Sequence, residues 1–275
     1  MRVCILGSGL SSLALAKSLV NQKIHVDVLY SKRGYEANKT RTIGISKSNV
    51  EFFNEKIINI EKIIYKLNKI EIYSDNLEKQ KLINFGNNSD HLFSIVKNYK
   101  LQKILEKDLF NNKYFKITNY KKKINYSKDY DLVFNADYNH QITKKYFYKK
   151  IEKKYNSVAY TTIIKHNKIS NKVAIQIFTK SGPLAFLPIS EYETSVVYSI
   201  NNNLKSNTEI NNLIHNYNLK YKLKKIDKIY SFELSGLSLR SYFHKNILAF
   251  GDLLHRIHPL AGQGFNMTIR DIKIL

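Results

Sequence analysis

A single cysteine, Cys4, excludes an intramolecular disulfide framework, and its apolar neighbours place it in a buried strand. A reducing compartment suits such a chain. Only 3 prolines and 10 glycines occur in 275 residues, and no Pro-rich or Gly-rich linker or internal repeat separates one part from another. No apolar run reaches the roughly 18 residues of a transmembrane helix. Acids are also scarce: 22 Asp and Glu stand against 45 Lys and Arg, a net charge of +23. The hydrophobic fraction of 43% nevertheless excludes wholesale disorder. The lysines are spread along the chain with Asn, Ile and Tyr, the pattern of compositional drift rather than of a nucleic-acid-binding block. Denser runs at 121–123, 144–145, 149–150, 153–154 and 220–228 are still able to form a basic face attractive to anionic partners.

Glycine is concentrated where it matters. Residues 3–6 form a short apolar run suited to a buried parallel strand, followed by Gly7-Ser8-Gly9 and a helical pattern over 13–20. Residues 24–30 then read as a second strand. Together they make a βαβ unit of about 30 residues, the first unit of a mononucleotide-binding half. Gly7 permits the sharp turn, and Gly9 lets the backbone approach a pyrophosphate at the helix N-terminus. Ser12 stands where a third glycine is usual, and Tyr30 where an acid for ribose hydroxyls is usual. Arg2 and residues 3–16 also have the outline of a signal peptide, but Gly7-x-Gly9 and the strand that follows favour a folded βαβ unit.

Further along, helices are expected after Ser48, over 99–110 and over 208–218, and a third buried strand over 132–134. Strand-like runs at 157–164, 173–178, 184–187 and 195–200 have no crossover helices between them and predict an antiparallel sheet. Strands over 229–234 and from Ile247 close the pattern. The fold class is therefore α/β: a Rossmann-like, cofactor-binding domain with an inserted, mainly antiparallel β-sheet substrate domain. We expect residues 1–55, 92–150 and 240–275 in the first and 56–91 and 151–239 in the second.

The second glycine-rich turn, residues 251–271 (GDLLHRIHPLAGQGFNMTIRD), carries the chemistry. It resembles the signature GDAAHxxHPxxGQGxNxxxxD of FAD-dependent aromatic hydroxylases, closest to the ubiquinone-biosynthesis hydroxylases. Gly251, Asp252, His255, His258, Pro259, Gly262, Gln263, Gly264, Asn266 and Asp271 stand in register. Residues 41–46 (RTIGIS) resemble the family's RxIALS segment, and 182–188 (GPLAFLP) its GPLALLP strand. With Gly7 and Gly9, the resemblance covers nearly the whole chain.

The resemblance implies FAD as cofactor and NAD(P)H as co-substrate. Reduced flavin takes up O2 as a C4a-hydroperoxide and delivers OH to an electron-rich ring, so no side chain need be the oxidant. It implies cofactor contacts from Gly7, Gly9, Ser12, Arg41, Gly251, Asp252, Pro259, Gly262, Gly264, Phe265 and Asn266. Asp252 would accept hydrogen bonds from ribityl hydroxyls, and Arg41 would supply a cation. Pro259, Gly262, Gln263, Gly264 and Asn266 would lie along the flavin ring, where helix N–H groups stabilise its reduced charge. The implied substrate is a prenylated phenol of ubiquinone biosynthesis. The implied setting is cytoplasmic, with peripheral association on the inner face of a membrane or with a biosynthetic complex. Nucleic acid is not an expected partner, because no recognised motif is present. The i, i+3 pair His255 and His258 lacks a third ligand, so no metal is expected.

Ser12, Tyr30 and Tyr138, which follows Asp137 where the family has Asp-Gly, depart from the pattern. They keep an alternative open: a catalytically degenerate flavin-fold accessory subunit. The sequence stops at Leu275, before the mainly helical continuation of family members, as a fragment would.

Overall fold

The computed structural model describes residues 1–31, 39–75, 81–86, 91–120, 125–201, 206–256 and 263–275. The chain opens with β1 (Arg2–Leu6), helix α1 (Leu10–Asn21) and β2 (His25–Tyr30). Next come β3 (Thr42–Ser46), α2 (Lys47–Phe52), a π turn (Phe53–Ile57), β4 (Ile64–Leu67), β5 (Lys69–Ser74) and β6 (Lys81–Phe85). The middle of the chain supplies β7 (Phe93–Lys97), α3 (Asn98–Phe110), β8 (Phe115–Asn119), α4 (Tyr126–Asp129), β9 (Leu132–Asn135) and α5 (Gln141–Tyr146). Then follow β10 (Lys150–His166), β11 (Val173–Thr179), β12 (Gly182–Pro188), β13 (Glu193–Asn201), α6 (Asn207–Tyr217) and β14 (Leu223–Ile226). The last elements are β15 (Tyr230–Leu239), β16 (Phe243–His244), β17 (Ile247–Ala249), a 3-10 turn (Gly251–Leu253) and α7 (Gln263–Ile274).

Six strands form the first sheet, in the order β16-β17-β9-β1-β2-β8. All pair in parallel except β16, which runs antiparallel to β17. Parallel strands covered by helices must be apolar throughout, and Val3, Cys4, Ile5 and Leu6 are accordingly buried. Leu13, Leu15, Leu101, Leu105 and Ile269 seal one face from α1, α3 and α7. Cys4 and Leu6 face the other side, with Tyr130, Phe147 and Leu253. Burial pushes the Cys4 thiol up, so the chain's one sulfhydryl stays protonated.

The large sheet runs β14-β10-β13-β12-β11-β5-β6, with β15 also on β10. Its ladder from β10 to β11 is antiparallel, whereas β11 pairs with β5 in parallel. Tyr160, Phe186, Tyr198 and Ile200 form its core, closed by Ile210 and Ile214 of α6. A Ser206–Glu209 capping box starts that helix. This is the α/β, Rossmann-like arrangement with a mainly antiparallel second sheet.

Segment 56–91 is shared between layers. Ile57 and Ile60 pack in the first core, and β4 joins the three-stranded sheet β3-β7-β4. Of its described strands, β5 and β6 enter the large sheet, where the N–H groups of Asn68 and Lys69 donate to the Lys172 carbonyl next to β11. Strand β10 also begins earlier than the apolar pattern suggests. Its first residues, Lys150–Lys154, pair with Leu239–Ser235 of β15 beside the first sheet.

Glu71 fixes the β5–β6 edge. Its carboxylate accepts hydrogen bonds from Tyr73 (2.8 Å) and Lys81 (2.8 Å), with Lys69 at 3.1 Å. Burial pulls its carboxyl upward, but these donors prevail and hold it at about 2. A depressed carboxyl stabilises the fold above its unfolded value, and this contribution is lost as pH falls through the folded value. We expect Glu71→Gln to cost about 1–3 kcal/mol at neutral pH. The cost should fade between about pH 4.5 and 2. Urea unfolding across that range checks it; a loss independent of pH would refute the assignment.

Candidate functional site

The two glycine turns meet. Gly7, at φ +103°, ends β1 and donates its N–H to the carbonyl of Leu29 (2.7 Å). Its missing side chain leaves ordinary contact with the Ala136–Asp137 peptide at the end of β9, 3.5 Å from the place a Cβ would take. Gly9 is the N-cap of α1, and a Cβ there would meet nothing within 4 Å. No side chain caps the helix, and no acid stands in its first turn. Its first N–H groups and positive dipole end therefore suit an anion. Ser12, buried in the same turn, has a hydroxyl without a hydrogen-bond partner among the described residues.

Gly251 arrives from β17 at φ +59°, a conformation that favours glycine. A Cβ on it would stand 2.9 Å from the Cβ of Ser11. Residues at opposite ends of the chain thus form one wall. Asp252 sits in the 3-10 turn with its side chain exposed and makes no hydrogen bond or ion pair with any described residue. Arg41, before β3, is likewise exposed, and its side chain engages no described residue.

Pro259, Gly262 and His258 lie outside the described residues. Gln263 begins α7 and is exposed, and Gly264 lies so near the His255 carbonyl that a Cβ would come to 3.2 Å. Phe265 packs toward Phe53, ring centroids 6.4 Å apart. Asn266 lies within α7, and its side chain is engaged by protein. Its oxygen accepts from Ser46 N (3.0 Å) and Asn49 Nδ2 (2.8 Å), while its nitrogen donates to the Gly44 carbonyl (2.7 Å). It joins α7 to the β3–α2 corner. That corner in turn meets the large sheet through the Thr42 and Ser195 hydroxyls (2.8 Å).

Two features were not legible in the sequence. His255 Nε2 and Asp271 Oδ2 lie 2.5 Å apart, closing the base of the turn across sixteen positions. Both residues stand in the motif, but spacing alone does not reveal that they pair. The second feature is the setting of Tyr138. Its hydroxyl bonds Glu152 and Lys150 of β10, and the Arg256 guanidinium lies 4.6 Å from its ring centroid. Tyr138 is therefore turned toward β10. Asp137 accepts from Tyr120 (2.6 Å), whose phenol is pushed up by burial and then by that carboxylate. Tyr30 is buried at the end of β2 and supplies no carboxylate there. Among the described residues no cluster of His, Cys, Asp and Glu could hold a metal.

The fold is that of FAD-dependent monooxygenases. The p-nitrophenol 4-monooxygenase PnpA of Pseudomonas putida superposes with a TM-score of 0.78 at 12% identity, over 98% of this chain and 77% of that one. Klebsiella pneumoniae HpxO complexed with FAD and uric acid gives 0.74 at 12%, over 99% and 78%. In sequence the chain is similar, over part of its length, to ubiquinone hydroxylases. It is 24% identical over 129 residues to ubiquinone hydroxylase UbiL of Rhodospirillum rubrum, covering 44% of this chain and 30% of that protein. It is 32% identical over 113 residues to 3-demethoxyubiquinol 3-hydroxylase of Escherichia coli, covering 36% and 27%. The matched stretches thus span under a third of these relatives' own length. No family model matches the chain.

The residues present fit FAD. The uncapped α1 N-terminus and the orphaned Ser12 hydroxyl suit a pyrophosphate. The free carboxylate of Asp252 suits a hydroxylated chain beside it.

If His255–Asp271 fastens the turn, Asp271→Asn should cost about 1–2 kcal/mol and lower Tm by about 2–4 °C. His255→Ala combined with Asp271→Ala should be no worse than either alone. Calorimetry checks both, and additive losses would show that the two residues act independently.

Proposed function

We propose that the chain is an FAD- and NAD(P)H-dependent monooxygenase that hydroxylates the aromatic ring of a prenylated phenol in ubiquinone biosynthesis. The observation that carries this reading is the packing of the Gly251 turn on the first turn of α1, which makes one cradle from the two motif halves. The ubiquinone-hydroxylase relatives support the substrate class. FAD, when bound and reduced, supplies activated oxygen to the ring, and the residues of this chain hold and shield it.

Gly7, Gly9 and Ser12 receive the pyrophosphate at the N-terminus of α1, where N–H donors and the dipole offset its charge. Asp252 accepts hydrogen bonds from the ribityl chain, a charge-assisted contact stronger than a neutral one. Arg41 adds a cation. The N-terminal end of α7, with Gln263 and Gly264, would hold the ring and stabilise negative charge on it; Pro259 and Gly262, outside the described residues, are assigned to the same loop by the motif alone. Phe265 and Asn266 position that end from behind, against Phe53 and the β3–α2 corner. The electron-rich phenol and O2 are the co-reactants. The apolar tail of the substrate brings the enzyme to a cytoplasmic membrane face. Among the described residues no helix is long and apolar enough to cross a membrane, which suits a peripheral contact.

A second reading is favoured by Tyr30, which offers no carboxylate for the ribose, and by the Tyr138 setting. In it the chain is a flavin-fold accessory subunit of a quinone-biosynthesis complex. Flavin absorbance separates the two. We expect the purified protein to carry flavin, to be bleached by NADPH, and to convert a prenylated phenol to a product heavier by one oxygen. Failure to bind flavin after reconstitution favours the accessory subunit. Asp252→Ala should weaken flavin binding roughly 10- to 100-fold, the worth of hydrogen bonds to a charged group. It should leave the melting of flavin-free protein unchanged, because the carboxylate has no partner among the described residues. Unaltered affinity would remove Asp252 from the site.

A further inference from the structure

One part of the surface combines large exposed apolar side chains with one sign of charge. The segments 144–151 and 238–245 run side by side. Arg240 N donates to the Lys149 carbonyl (2.9 Å), Lys150 and Ile151 pair with Leu239 and Ser238, and the rings of Tyr146 and His244 stack at 4.0 Å. On them Tyr148 is 62% exposed, Ile151 50%, Tyr242 58% and Phe243 67%. Exposed Lys144, Lys145, Lys149, Arg240 and Lys245 accompany these side chains. Residues 141–151 and 238–250 contain no acid at all. Lys150 is the exception among the cations, being paired with Glu152 at 2.7 Å.

Single exposed apolar residues on a protein surface need no explanation. Here Tyr, Phe and Ile stand among cations that, Lys150 apart, form no ion pair with any described residue, and each class of residue has its own partner at a bilayer. Aromatic rings settle at the headgroup level, and Lys and Arg meet anionic headgroups. Spread charge alone does not account for the aromatic residues, and a polar macromolecule would leave Phe243 and Tyr242 in water. The position is also suggestive. β16 is the edge strand beside β17, Tyr242 O accepts from Ala249 N (2.8 Å), and β17 leads directly into Gly251 and Asp252.

We propose that this rim, centred on Tyr242 and Phe243 and flanked by Lys144, Lys145 and Lys149, docks the protein on an anionic lipid bilayer. The use of such docking rests on the reading of a lipid-tailed substrate; the binding itself does not. Docking here sets the edge strand next to the flavin-bearing turn against the membrane that holds an apolar substrate.

Flotation of the full chain with phosphatidylcholine vesicles, with and without phosphatidylglycerol, tests this. We expect binding only to the anionic vesicles, with a fraction that persists at high salt. Lys144→Glu/Lys145→Glu/Lys149→Glu should weaken it at least about tenfold. Tyr242→Ser/Phe243→Ser should abolish the salt-resistant fraction, because salt screens charge and leaves apolar insertion intact. The control Lys100→Glu/Lys103→Glu/Lys107→Glu, on the exposed side of α3, should change binding less than about twofold. The proposal is overturned by equal weakening in the control, by indifference to the Ser pair, or by no preference for anionic vesicles. Tighter binding of the rim to duplex or single-stranded nucleic acid than to vesicles also overturns it. Turnover of a water-soluble, short-tailed phenol by the same variants should match the parent. A parent that floats but lacks turnover refutes the enzymatic reading and leaves the docking surface standing.

Discussion

Everything in the candidate site depends on one close approach, that of Gly251 to the first turn of α1. The two come within contact only because residue 251 has no side chain and adopts a left-handed backbone. The approach sets the end of β17 against the open N-terminus of α1, with Gly251 next to Ser11. Parallel pairing of β17 with β9 and of β9 with β1 holds the alignment from below. A β-carbon at 251 would force either the turn or the helix away, and with it half of the cradle.

This geometry explains why the two motif halves were legible and their supports were not. The βαβ unit announces itself because buried parallel strands must be apolar along their whole length, as residues 3–6 are. The antiparallel ladder of β10 to β13 is legible for a related reason, since turn residues punctuate its runs. By contrast, the start of β10 (KIEKK) is exposed and reads as polar chain, so its pairing with β15 emerges only in three dimensions. β8 (FKITN) is a half-exposed edge strand whose alternation is too weak to read alone. Segment 56–91 divides between sheets because its apolar residues serve two cores, a choice that no local pattern encodes.

The site shows the same division. Gly7, Gly9, Gly251 and Gly264 carry local signals, because each marks a turn or a close approach. The partners of Asn266 stand some 220 positions earlier, at Ser46 and Asn49, and nothing near residue 266 indicates them. The Tyr138 setting is a departure whose consequence depended on its neighbours. Its hydroxyl bonds Glu152 and Lys150, so the side chain is directed to β10 by partners that lie 14 and 12 positions away.

The fastening at Asn266 has a mechanical consequence. An amide has one oxygen and one NH2 group, and here both are engaged with three residues of a single corner. Rolling α7 about its axis would strain all of these bonds together, so they oppose its rotation. The same bonds tie the residue two places beyond Gly264 to the corner after β3, so a shift of either element is felt by the other.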